Sequence, residues 1–273
     1  MTALLFQPEH IARSRLRAAG KFADHNFLYQ ACARDILDRL PLITRSFSSV
    51  LQVRDVFGDH LHQLYPQAAH HVLIPFENAL LPEDFVGAEN AYDLIVSVFD
   101  LHIVNDLPGV LAQVRRALRA DGVFMAALPG GKTLHQMRDV LLQAEMTVMG
   151  GASPRVLPFV DKAQMAHLLQ RAGFSLPVVD SEIFTVSYRD IFHVMADLRG
   201  MGETNVLAER FRKFTPSRLF FEAARSYAEK FPDEEGRIHA DFEIIFIIGW
   251  APHESQQKPA ARGSGKVSLT DVL

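Results

Sequence analysis

Short apolar runs alternate with helical periodicities along most of this chain. Tyr92–Phe99 is an unbroken run rich in β-branched residues, the pattern of a strand buried on both faces. After a loop at 101–105, Asp106 stands as a helix cap ahead of Pro108, and Val110, Leu111, Val114 and Leu118 recur at helical spacing. Asp121-Gly122 makes a turn, and Val123–Leu128 is a second buried strand that ends at Pro129-Gly130-Gly131. This strand–helix–strand unit sets two parallel strands side by side. Such units bind ligands at the carboxyl ends of their strands, here around Val98–His102 and Leu128–Thr133.

The same pattern predicts the other elements. Residues 8–40 read as two helices. The first carries Arg13, Arg15, Arg17 and Lys21, a solvated basic face or, on the sharper reading, a docking surface for an acidic partner. The second presents Phe27, Leu28, Ala31, Ile36, Leu37 and Leu40 to a core. Strands are expected at Ser49–Val53 and His71–Pro75, with Arg54–Gly58 as the turn after the first and little room for a third strand before Tyr92. A helix runs from Thr133 to about Met149, and Asp161 caps another over Gln164–Ala172 that stops at Gly173. Val178–Tyr188 and Asp241–Trp250 alternate like strands and should pair antiparallel at the far edge of the sheet. Between them, two or three helices, at Tyr188–Leu198, Asn205–Lys213 and Pro216–Phe231, are long enough to form a lid over the ligand end. The division expected is a helical layer at 1–48, an α/β domain at 49–252 with its lid at 188–236, and an exposed tail at 253–273.

Composition narrows the class. The chain has 273 residues, 48% hydrophobic and 22% charged, with net charge −4, so a soluble globular protein is expected and nothing suggests nucleic acid. No apolar run reaches membrane-spanning length, and Met1–Phe6 has no basic leader. Cys32 is the lone cysteine, which excludes an internal disulfide and points to a reducing cytoplasm.

Strands alternating with helices, followed by an antiparallel pair, resemble the layout of the class I methyltransferases. The expected fold class is therefore α/β, a Rossmann-like methyltransferase fold with N-terminal helices and a helical lid. The likeness sharpens at Asp93–Ser97 followed by Leu101–Pro108, at Gly130–Leu134, at Gly150–Arg155, at Asp197–Asn205, and at Ile248–Trp250 with His253–Gln256. Together these resemble the methyltransferase-like assembly factors of respiratory complex I, the NADH:ubiquinone oxidoreductase, in their bacterial form. That resemblance implies S-adenosylmethionine (SAM) as cofactor and a complex I subunit or assembly intermediate as partner. It also implies a place peripheral to the inner membrane and, through the mitochondrial member, a link to arginine hydroxylation rather than methylation. The chain departs from the family where the cofactor would bind. The family's Asp-Leu-Gly-Cys-Gly turn corresponds to Gln52–Val56, without its acid or its key glycines, and the ribose-holding acid after the second strand is replaced by Ile74-Pro75-Phe76, with Glu77 the nearest carboxylate. Arg54 and Phe57 are expected to fill the space that glycines clear. A partner-directed protein with impaired SAM binding, a pseudoenzyme, is the reading preferred. The alternative is an active SAM-dependent methyltransferase on a protein or a small molecule, of the biotin-pathway type.

Candidate site residues follow from these positions. Gly58, Val98, Phe99, Gly130 and Gly131 flank the cofactor end of the sheet; Gly130-Gly131 either lets backbone approach a ligand or makes a tight turn. His102 is the catalytic candidate, against a histidine satisfied by its neighbours. Thr133, Gly150, Gly151, Ser153, Arg155, Gly202 and Asn205 form the candidate partner or substrate loops. Arg155 serves there either as a forked anion donor or in a structural ion pair, and Gly200 and Gly202 suggest a lid hinge. His239 and Asp241 with His253 miss the facial triad of a non-haem iron site, because His253 lies at the opposite end of the strand. No metal site is expected, and Trp250 reads as core at a strand end.

Overall fold

A computed structural model describes residues 4–74 and 88–257. Three helices come first, α1 (Pro8–Ala18), α2 (Phe22–His25) and α3 (Phe27–Arg39), so the predicted pair is joined by one extra turn. Then follow β1 (Ser49–Arg54), α4 (His60–Leu64), β2 (Ala69–Ile74), β3 (Tyr92–Val98), α5 (Leu107–Ala117), β4 (Leu118–Pro129), α6 (His135–Met149) and α7 (Lys162–Arg171). The chain ends through β5 (Ser175–Tyr188), α8 (Ile191–Met201), α9 (Ser217–Lys230) and β6 (Ile238–Trp250).

The six strands make one sheet in the order β2-β1-β3-β4-β6-β5. The β1, β2, β3 and β4 neighbours are parallel, and β6 runs antiparallel between β4 and β5. The predicted crossover is present: the Asp106 carboxylate accepts from the Gly109 amide at 2.9 Å to start α5, and Val98 pairs with Ala127. Asp161 caps α7 in a full capping box with Gln164. The sheet divides the apolar residues into two cores. One lies under α3, α6, α8 and α9, where Val50, Leu94, Val96, Met125 and Phe246 face inward. The other lies under α5 and α7, against Leu51, Ile95, Phe124 and Ile247. Alternate residues of each strand serve opposite cores, as period-two geometry requires. Trp250 is half-buried against the first of these cores.

Several local expectations are corrected. Asp121-Gly122 lies inside β4, with Asp121 at φ +60°, rather than making a turn ahead of it, and Phe27 on α3 is exposed rather than core-facing. Leu118 is extended and opens β4, with Cα partner Tyr92, rather than closing α5. The segment 205–213 is not a helix. Its backbone is used elsewhere: Phe6 and Leu207 form a β-bridge, with Gln7 N donating to Val206 O at 3.1 Å and Ala208 N to Leu5 O at 2.9 Å. Groups committed to a distant partner cannot also close helical turns. The positions Pro75, Phe76 and Glu77, and the tail from residue 258, lie outside the described residues. No helix among the described residues is long and apolar enough to cross a membrane.

Candidate functional site

The carboxyl ends of β1 and β3 meet in a buried ionic cluster. Val50, Gln52 and Arg54 share one face of β1, so Arg54 is carried inward, 1% exposed, and its Nε pairs with the Asp100 carboxylate. Asp100 reaches that position because the preceding Phe99 takes a left-handed conformation, φ +58°, one an unbranched side chain rarely adopts outside functional or tightly constrained turns. Ser97 Oγ donates to the other Asp100 oxygen at 3.1 Å.

Arg15, from α1, adds a second cation to the cluster. It is 1% exposed, places NH1 3.3 Å from Asp100 Oδ1, and donates from NH2 to Phe99 O at 2.9 Å. The predicted solvated face therefore holds for Arg13, Arg17 and Lys21 but not for Arg15. The spacing could have shown this: Ile11, Ser14 and Ala18 are buried at i, i+3 and i+7, and Arg15 lies on the same stripe.

Glu203, just past the end of α8, joins the lid to this cluster. Tyr29 OH donates to its Oε1 at 2.5 Å, His102 Nε2 lies 2.7 Å from its Oε2, and Arg15 NH2 is 3.9 Å away. The Tyr29 ring stacks on Phe99 with centroids 4.6 Å apart. Burial pushes the Glu203 carboxyl up, but His102, Arg15 and Tyr29 outweigh it and hold it at about 2. Burial lowers Arg54 despite Asp100, and raises Tyr29 well above its ordinary value. Arg15 is raised, because Tyr29, Asp100 and Glu203 more than offset its burial. His102, the catalytic candidate, is thus a carboxylate-bound imidazole; its buried Nδ1 has no hydrogen-bond partner.

Beyond Phe99 and Glu203 opens a cavity of 280 Å³ under the lid, whose lining includes Phe99, Thr133, Arg155 and Asn205 among the sequence candidates. A second, of 650 Å³, adjoins it across Arg155, Val156 and Phe159 and takes in Gly131 and Ser153. Val98 is buried in β3, while Gly58, Gly150 and Gly151 line neither space, Gly150 serving as the left-handed cap of α6.

The glycines and Arg155 have local structural partners. A Cβ on Gly130 would come 2.7 Å from Glu243 Oε2, and Gly130 N donates to Glu243 O at 2.8 Å, so the close approach is to β6. Thr133 Oγ1 donates to the same carbonyl at 2.8 Å. Arg155 forms a two-pronged ion pair with buried Glu145, both contacts 2.9 Å, and Ser153 adds its amide and hydroxyl to that carboxylate. Asn205 Nδ2 ties Pro154 O to the lid at 2.8 Å. Gly202, φ +80°, caps α8 where a Cβ would press on Ala18 and Arg15, and Gly200 abuts the His25 ring. Asp241 accepts from Thr185 and Gln136, both at 2.7 Å. No group of three His, Cys, Asp or Glu side chains among the described residues is placed to hold a metal. Sequence reasoning missed Tyr29, Ser97, Asp100 and Glu203 as site residues, since only the fold brings them to Arg15 and Arg54.

No protein-family model matches the chain. Over 264 residues it is 38% identical to the Rattus norvegicus protein named arginine-hydroxylase NDUFAF5, mitochondrial, a match covering 90% of this chain and 77% of that protein. It is 34% identical over 165 residues to the malonyl-[acyl-carrier protein] O-methyltransferase of Xylella fastidiosa, 60% of this chain and 54% of that one. A methyltransferase-like crystal structure from Bacillus halodurans is similar with a TM-score of 0.51 and 15% identity, covering 80% of this chain and 99% of that one. That likeness shows the fold, a class I methyltransferase fold. By its sequence relatives, the chain belongs to the NDUFAF5 family of methyltransferase-like complex I assembly factors.

Proposed function

We propose that the chain serves complex I assembly by acting on a protein partner, with the ordinary SAM pose closed by its own side chains. One observation carries this reading: the Arg54–Asp100–Arg15 ion cluster stands at the carboxyl ends of β1 and β3, where methyltransferase folds clear space with glycines. The residues present do not fit SAM there. Arg54 is fully buried and ion-paired, and Phe57 is packed into the core at 2% exposure. Moving either would expose buried charge or apolar surface, so no methyl-transfer step is derived. The relatives' name, arginine-hydroxylase, supports an arginine of the complex I partner as the group acted on.

Two measurements test this together. Calorimetry with SAM at tens of micromolar should show no saturable heat. Membranes from a strain lacking the gene should contain less assembled NADH dehydrogenase. Unchanged enzyme levels would remove the partner assignment. A clear micromolar affinity for SAM would instead favour the methyltransferase reading, which the likeness to the Xylella fastidiosa enzyme supports.

A further inference from the structure

The 280 Å³ cavity beside Glu203 has walls and charges that suit one kind of small molecule. Leu28, Met137, Leu141, Met195, Phe220 and Phe242 make most of its surface apolar. Its volume sits at the low end of small-molecule pockets. At ~30 Å³ for each water-sized group it holds on the order of ten such groups. A hydrophobic chain of that length would lose water contact over most of its area, the main source of binding energy available here.

The charged residues of the lining do not balance. Three arginines, Arg155, Arg199 and Arg210, are among the lining residues, against one acidic residue, Glu203. Glu145 neutralises Arg155. The Glu203 carboxylate is already held by Tyr29, His102 and Arg15. Arg199 is exposed and its guanidinium has no partner among the described residues, while Arg210 lies against the His10 ring and the Leu207 carbonyl without a carboxylate. Burial lowers Arg210, and Arg212 and Arg13 lower it further, as a crowd of cations does when no anion is present. The vacant charge is therefore positive and lies on Arg199 and Arg210, and a cationic ligand would meet both with its natural counter-ion already engaged.

We infer that this cavity binds a medium-chain carboxylate, its hydrocarbon tail among Met137, Leu141 and Met195 and its head group on Arg199 and Arg210. This goes beyond the partner reading and does not depend on it, so the failure of either leaves the other standing. The test is calorimetric titration of the full chain at 150 mM salt with decanoate and, separately, with decylamine, which has the same tail and the opposite charge. Decanoate should bind saturably at one site and decylamine at least tenfold more weakly. Arg199→Gln and Arg210→Gln should each weaken decanoate roughly tenfold, the effect of losing one charge-assisted contact. Met195→Trp, which fills the cavity, should abolish binding; Leu141→Phe is the second filling variant should Met195→Trp fail to fold by circular dichroism. Absence of saturable decanoate binding would overturn the inference. So would decylamine binding as tightly as decanoate, or affinities that ignore both the arginine and the filling substitutions.

Discussion

Asp100 is the residue on which the buried charges depend. Its carboxylate pairs with both Arg54 and Arg15, neither of which is more than 1% exposed. Removing one member of such a cluster leaves charge in a low-dielectric interior, which costs about 3–5 kcal/mol, whereas replacing a whole pair by apolar groups of similar volume is often neutral. Asp100→Ala should therefore lower stability by about 3–5 kcal/mol in urea unfolding, and Asp100→Leu combined with Arg54→Met should cost less than Asp100→Ala alone. Additive losses would mean that the ion pair is not the coupling between these sites. At this scale the sequence was only partly legible. The missing glycines at Gln52–Val56 showed that Arg54 is out of keeping with the family, but nothing near Arg54 announced that Asp100 and Arg15 would meet it.

At the scale of elements, Glu203 fastens the end of α8 to α1, α3 and the loop after β3. Ser14 adds to this, donating from Oγ to Gly202 O at 2.9 Å, and His25 pairs with Asp197 of α8 at 2.6 Å. Because the Glu203 carboxyl is held at about 2 in the fold, against an ordinary value of 4.5, its contribution is fully present above pH 4.5 and lost as pH falls toward 2. Asp93 and Glu145 are also depressed: burial raises each, and hydrogen bonds from Ser48 to Asp93 and from Arg155 and Ser153 to Glu145 outweigh it, so acid weakens the fold at several points. Urea midpoints measured from pH 6 down to pH 2.5 should fall less steeply for Glu203→Gln than for the unaltered chain, with the gap between the curves closing as pH drops. Parallel curves would show that Glu203 is not held charged. The lid helices α8 and α9 were legible from periodicity, whereas 203–216 was not, because its backbone pairs with Leu5–Gln7 about two hundred positions away.

For the whole molecule, the N-terminal helices and the sheet make a common core. Leu28, Tyr29, Cys32, Ala33 and Ile36 of α3 are buried with Val50, Leu94 and Val96 of the sheet, and Arg15 of α1 pairs with Asp100. The boundary expected at residues 48 and 49 marks where strands begin. A chain starting at residue 41 should accordingly show no cooperative thermal transition by circular dichroism, having exposed one face of the sheet and left Glu203 without Arg15 and Tyr29. A sharp transition near that of the full chain would make 1–48 a separable layer after all.

The local pattern of side chains determined the parts that depend on neighbours in the chain: the buried strands at Tyr92–Val98 and Val123–Leu128, the caps at Asp106 and Asp161, the alternating strands that pair at the sheet edge, and the motifs that carry the family resemblance. Periodicity and capping act over one or two turns and can be read directly. Tertiary structure decided what burial and charge do across long separations. Arg15 meets Asp100 over 85 positions and Tyr29 meets Glu203 over 174. A buried ion cluster forms only where the fold removes water from its members and sets opposite charges side by side, and no local spacing encodes that condition.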